Sequence, residues 1–293
     1  MTYQQFIYEA MTGVKKYVEE NITVNLNTVI KNNGKERRGL TISERGVNIS
    51  PTIYLEEYYK EFQQGKSMKQ IVGEVLELYQ EVRFEQPWES SELQKFENIK
   101  DHLVCKLVNF EKNKHMLSEM PYYRFLDLAV TCYVILDLHT KGTATMTVKN
   151  EHLKMWNVSR EEILKISKEN SERLLPAEIK RMKEVIAEMT GMECDLSKED
   201  DFMYVLSNAQ KHYGAVCITY EHVLDLAADG MKESFYIIPS SVHEVILIPE
   251  SKSPGKEEIR KMVMEVNETQ VEEEDRLSDN VYYYDLEKQI ITM

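Results

Sequence analysis

Between Phe235 and Pro249 the chain reads FYIIPSSVHEVILIP, two strongly apolar, β-branched runs around a mainly polar interruption. Such side chains fit a pleated, half-buried surface, so a chain with this stretch has to build a sheet around it. Pro239 has no N–H to give to a central ladder. It predicts a bulge or an edge position within one long strand over residues 235–248. Side chains alternate along a strand. Ser241 and His243 would then share one face, with Ser240 and Glu244 on the other. The interruption would be where a sheet presents polar side chains to a cleft.

The rest of the chain alternates helical and strand periods. Thr2 and Gln5 have capping-box spacing, and Phe6, Ala10, Val14, Tyr17 and Val18 form a helical stripe. Ile22, Val24 and Leu26 alternate as a strand does. Asn32-Asn33-Gly34 supplies the positive φ of a hairpin turn before a return strand at Leu40 and Ile42. Residues 47–49 read as a short strand. Helical patterns cover 52–79, with Ser67 as a cap, and 90–100. Residues 103–110 and 125–136 read as strands, the second in a hairpin with 143–148. Asn150, Ser159 and Pro176 each sit where a helix begins.

In the last third, 202–206 and 215–220 read as strands, and 222–228 as a helix closed by Gly230. Residues 256–267 read as a helix with Ile259, Met262, Val263 and Val266 inward. A terminal hairpin follows, with Tyr283 inward between outward neighbours. The expected class is α+β: mixed or mostly antiparallel sheets with helices packed on one face. Two lobes are expected, 1–113 and 114–293, the second holding the PSSVHE segment.

Charge narrows the function classes. The 293 residues include 50 acidic and 36 basic side chains, a formal net charge of −14. Such an excess repels phosphate backbones, so general nucleic-acid binding is not expected. Lys31, Lys35, Arg37 and Arg38 form the one compact basic patch, in a turn that reads as solvated. No run approaches the ~20 apolar residues that span a bilayer, and the first residues lack a signal-peptide pattern. Cys105, Cys132, Cys194 and Cys217 are widely spaced without a CxxC pair, which suits buried free thiols in a cytoplasmic protein.

Chemistry-bearing patterns are sparse. Ser241 and His243 invite a nucleophile–base reading, with Glu244 as a further carboxylate. Same-face neighbours on one strand stand roughly 6–7 Å apart, too far for the direct hydrogen bond of a triad. No GxSxG elbow is present. The plainer reading has the serines hydrogen-bonding local backbone, and a binding role for Ser240, Ser241, His243 and Asn267 lies between the two. No HxH or HExxH pair of histidines supports a metal site. Asp200 and Asp201 read as a solvated loop. Neither phosphate-loop pattern occurs among only 11 glycines, so no cofactor is implied. Tyr282-Tyr283-Tyr284 offers contact area to a partner, or simply alternates in a hairpin.

The stretches FYIIPSSVHEVILIP, MVMEVNETQV and LSDNVYYYD resemble a family from gut anaerobic Firmicutes defined as a domain of unknown function. The likeness extends over nearly the full length, including LVNFEKNKHMLSEMPYYRFLDLAVTCYVI. The stretch VKNEHLKMWNVSREEILKISKENSER is distantly similar to a second Firmicutes family. Neither resemblance implies an activity, cofactor or catalytic residue. The expected function is therefore a non-enzymatic cytoplasmic binding or regulatory protein, with an unknown protein or small-molecule partner. The alternative is a hydrolase-type enzyme using the Ser240/Ser241/His243 region.

Overall fold

Helix α1 (Tyr3–Lys15) starts at Thr2, where a reciprocal capping box forms: Gln5 N–H donates to the Thr2 hydroxyl, and Thr2 N–H donates to the Gln5 side chain. The computed structural model describes residues 1–47, 50–83, 93–139, 142–191, 202–239 and 241–293. Within these the chain forms two compact units, 1–99 with 137–144, and 100–136 with 145–293.

In the first unit, β1 (Ile22–Ile30) and β2 (Glu36–Glu44) make an antiparallel hairpin. Its turn puts Asn33 at φ 59° and Gly34 at φ 75°, the left-handed conformation that Asn-Gly tolerates. β3 (Thr52–Tyr54) pairs with β2 over Gly39 to Thr41. Helices α2 (Glu56–Gln63) and α3 (Met68–Val82) follow, the latter capped by Ser67 and Gln70. Phe6, Ala10 and Val14 pack with Ile71 and Val75 against Val24, Leu40 and Ile42. The basic patch folds onto its own unit. Arg37 is buried with ion pairs to Glu56 and Glu57, and Lys31 Nζ lies 4.2 Å from the Tyr54 ring centre.

The second unit contains one whole sheet and all of another except residues 137–144. β4 (Leu103–Asn109), β5 (Tyr122–Phe125) and β6 (Leu128–His139) run in the order β4-β6-β5, with β7 (Gly142–Thr147) also on β6. β4 pairs with β6 along its whole length, so residues 100–113 go with this unit and not with the N-terminal hairpin. Helices α4 (Asn150–Trp156) and α5 (Arg160–Leu174) come next; in α5 the Ser171 hydroxyl accepts the Cys105 N–H of β4 at 2.7 Å.

The other sheet combines β8 (Ala177–Arg181), β9 (Tyr204–Asn208), β10 (Phe235–Ile238), β11 (Val245–Pro249), β12 (Tyr282–Asp285) and β13 (Ile290–Thr292) in the order β13-β12-β10-β11-β9-β8. Its helices are α6 (Met182–Thr190), α7 (Val223–Met231) and α8 (Lys256–Thr269). Every pairing with a described register is antiparallel, and the fold is α+β.

Several elements differ from the sequence-based expectation. Residues 235–249 are a hairpin, β10 against β11, not one bulged strand, because Ile237 pairs with Leu247 in register. Residues 214–219 are a buried 3₁₀ turn in the main core, not a strand. Pro176 precedes strand β8, and α7 ends at Lys232 in left-handed conformation rather than at Gly230. Tyr282 and Tyr284 point inward and Tyr283 outward, since they pair with Ile237 and Phe235, both fully buried. In α8, Ile259, Val263 and Asn267 are buried, whereas Met262 and Val266 are exposed. The strand expected at 47–49 falls partly outside the described residues, as does the helix expected at 90–100.

Candidate functional site

The β10–β11 connection carries the sequence-predicted residues. Ser240 lies outside the described residues. Ser241 is buried and bridges to Arg276, and Val242 N–H donates to the Asp275 carbonyl at 2.8 Å. On the other side, Ala215 N–H donates to the Val242 carbonyl at 3.2 Å, and the Ser207 hydroxyl donates to the His243 carbonyl at 2.8 Å. The loop is therefore held between the 207–215 segment and the 272–276 segment. Its backbone groups find partners there because it leaves the ladder.

The His243 ring sits at the centre. Its side chain is 27% exposed, and Nε2 lies 3.3 Å from Asp275 Oδ1. Nδ1 accepts the Tyr213 N–H at 3.3 Å. A neutral ring has one donor and one acceptor nitrogen, so these contacts put its proton on Nε2, facing Asp275. The ring stacks on Tyr213 at 5.7 Å and 9°, with His212 at 5.4 Å on the same cluster. Lys106 Nζ lies 4.8 Å from the Tyr213 ring centre. Burial lowers the proton affinity of His243. The Asp275 hydrogen bond and charge, with Glu244 and Glu274, raise it more, and the net shift is upward.

Local chemistry explains why the facing loop can hold this shape. Asn208 is fully buried; its Oδ1 accepts the N–H groups of Gln210 and His212, and its Nδ2 donates to the His212 carbonyl. Lys211 and Tyr213 sit at φ 52° and 53°, the left-handed region that costs non-glycine residues energy. At Gly214 a Cβ would stand 2.6 Å from both Asn208 N and the His243 carbonyl oxygen. Glycine is needed there for the close backbone approach. Asn208, Tyr213 and Asp275 had no distinguishing signal in the sequence. Only the polar SNAQKHYG stretch ending in glycine hinted at an ordered turn.

The other predicted residues are distributed differently. Ser241 Oγ accepts the His243 N–H at 3.0 Å, a local turn contact, and the ring itself hydrogen-bonds Asp275 and Tyr213. A nucleophilic serine instead donates its O–H to a ring nitrogen of the base. Glu244 is half-buried and acts on His243 through its charge. Asn267 belongs to a second cluster. Its Nδ2 donates to the Ser278 carbonyl and to Asp279 Oδ1, and its Oδ1 is buried without a partner. In the same cluster Asp127, in the β5–β6 turn, accepts from the Ser278 hydroxyl, Asn280 Nδ2 and the Tyr282 hydroxyl.

Among the described residues no group of three or more His, Cys, Asp or Glu side chains could hold a metal ion. Asp200 and Asp201 lie outside them, as does Cys194. Cys105, Cys132 and Cys217 are free and buried, and burial pushes all three thiols upward, Cys132 and Cys217 to about 12. No helix among the described residues is long and apolar enough to cross a membrane.

The features together define a class: an α+β protein of antiparallel sheets whose polar loops converge on one partly buried histidine. Within that class the chain belongs to DUF5688, a family of unknown function whose model matches residues 3–286. No curated protein and no solved structure matches the chain.

Proposed function

We propose that this chain is a non-enzymatic binding or regulatory protein of the cytoplasm, with the ring cluster His212, Tyr213 and His243 as its ligand-facing surface. The observation that carries the reading is the commitment of both His243 ring nitrogens, one to Asp275 and one to the Tyr213 N–H. A base without a nucleophile on its ring is a poor engine for hydrolysis but a good fixture for recognition. Backbone strain at Lys211 and Tyr213 also supports it, since such strain persists where a particular geometry is used. Half-buried aromatic groups with polar tips suit a protein or small-molecule partner. Three buried free thiols accord with a reducing compartment.

The test compares ligands retained by wild type, Tyr213→Ala and His243→Ala, each verified as folded. A ligand lost by both variants supports the reading. Retention of every ligand by both would sink it.

The His243–Asp275 pair favours one second reading, a hydrolase-type enzyme drawing its nucleophile from Ser240 or Ser241. Esterase and phosphatase panels on wild type, Ser241→Ala and His243→Ala separate the two. Turnover by wild type that is lost in His243→Ala supports the enzyme. The binding reading expects the same background rate from all three.

A further inference from the structure

Among the described residues, strand β1 is an edge of the three-stranded sheet, and the strand it pairs with is β2. Edge strands are ordinarily blunted by charge, proline, bulges or short length. β1 has none of these. ITVNLNTVI is nine residues, uncharged, and in unbroken register with β2 from Ile22↔Glu44 to Ile30↔Glu36. Val24 is 1% exposed in the core, yet Leu26 and Ile30 on the same face are 41% and 69% exposed.

The order of residue types is almost symmetric about Leu26. Ile22 answers Ile30, Thr23 answers Val29, Val24 answers Thr28 and Asn25 answers Asn27. Two antiparallel copies centred on Leu26 would set isoleucine beside isoleucine, β-branched beside β-branched, and amide beside amide. These are favourable cross-strand pairs. The flanks are complementary too. Glu19 and Glu20 precede the strand and Lys31 follows it, so antiparallel pairing brings each acidic start beside a basic end. A chain of net charge −14 repels its own copy, and this uncharged strand adds nothing to that repulsion.

We propose that β1 is a self-pairing edge. A second copy of this chain docks its own β1 antiparallel across a two-fold axis at Leu26, joining two three-stranded sheets into one of six. The axis makes the contact self-complementary. A foreign strand lacks the symmetric residue order that matches at every position, so the occupant is the chain itself. Ile30 of each copy then packs beside Ile22 of the other, which already lies against the core of the first unit.

Sedimentation equilibrium on the full chain at micromolar concentration tests this, with wild type expected at twice the chain mass. Leu26→Lys sets two ammonium groups together on the axis and should raise the dissociation constant roughly 100-fold or more. Leu26 is exposed, so the circular dichroism of that variant should be unchanged.

Register is tested by disulfide formation under mild oxidant in a Cys194→Ser background, the three described cysteines, Cys105, Cys132 and Cys217, being buried. Leu26→Cys faces its own copy and should cross-link. Thr23→Cys should not, because its copy lies six positions away, roughly 20 Å along the strand. A monomeric wild type, a dimer that survives Leu26→Lys, or equal cross-linking at both positions overturns the proposal.

Discussion

Gly214 shows how tightly a single residue can be constrained. An added methyl would meet the Ser207 hydroxyl and also main-chain atoms of Asn208 and His243, which cannot rotate away as a side-chain tip would. Gly214→Ala is expected to cost about 3 kcal/mol, read as a lower denaturant midpoint at unchanged slope. His243 is constrained electrostatically. Its proton affinity is raised, so its NMR titration should have a midpoint above the ordinary ~6.5. Protonation places a hydrogen on Nδ1 opposite the Tyr213 N–H, and the Tyr213 amide signal should shift with the same midpoint. A Tyr213 signal that ignores His243 would mean that the ring does not accept from it.

At the scale of elements, the polar cluster around Asp127 joins the β5–β6 turn to the segment leading into β12. One carboxylate there satisfies a serine hydroxyl, an asparagine amide and a tyrosine hydroxyl. Burial and the adjacent Asp127 charge push the Tyr282 hydroxyl well above its usual range, so it remains a donor. Asp127→Ala strands three donors, two of them on the buried residues Ser278 and Tyr282. The expected loss is about 3 kcal/mol in chemical denaturation. Asp127→Asn, which keeps an acceptor oxygen, should lose less. An equal loss in both would show that packing, not hydrogen bonding, sets the cost. The same cluster explains why Asn267 is buried on a helix face that periodicity assigned to Val266: its amide has partners in the 278–279 turn.

For the molecule as a whole, His243 contributes a pH dependence of stability. A group whose proton affinity is higher folded than unfolded stabilises fully below its unfolded pKa, and that contribution fades as pH rises through the folded value. The stability lost in His243→Gln should therefore be greater at pH 5.5 than at pH 8.5, by up to about 1 kcal/mol for a partly exposed pair. Thermal melts of both proteins at the two pH values check it, and a larger loss at pH 8.5 would refute the sign.

Local chemistry was legible in the chain alone. The Thr2–Gln5 box, the Ser67 and Ser159 caps and the Asn33-Gly34 turn depend on contacts within a few residues, and they form where the sequence places them. The α+β class follows from the same alternation of periods. What tertiary structure decided was everything that depends on a distant neighbour. The inward parity of Tyr282 and Tyr284 comes from pairing with β10, and the apolar run 214–219 became a buried 3₁₀ turn within the core of the second unit.

Residues 235–249 show the division most plainly. Their apolar runs predicted sheet, which they form, but whether one strand or two depended on Ile237 meeting Leu247. Once folded back, Ser241 and His243 left the strand period behind. Their orientation passed to Asn208, Tyr213 and Asp275, roughly 30 residues away in either direction, which no local pattern can encode.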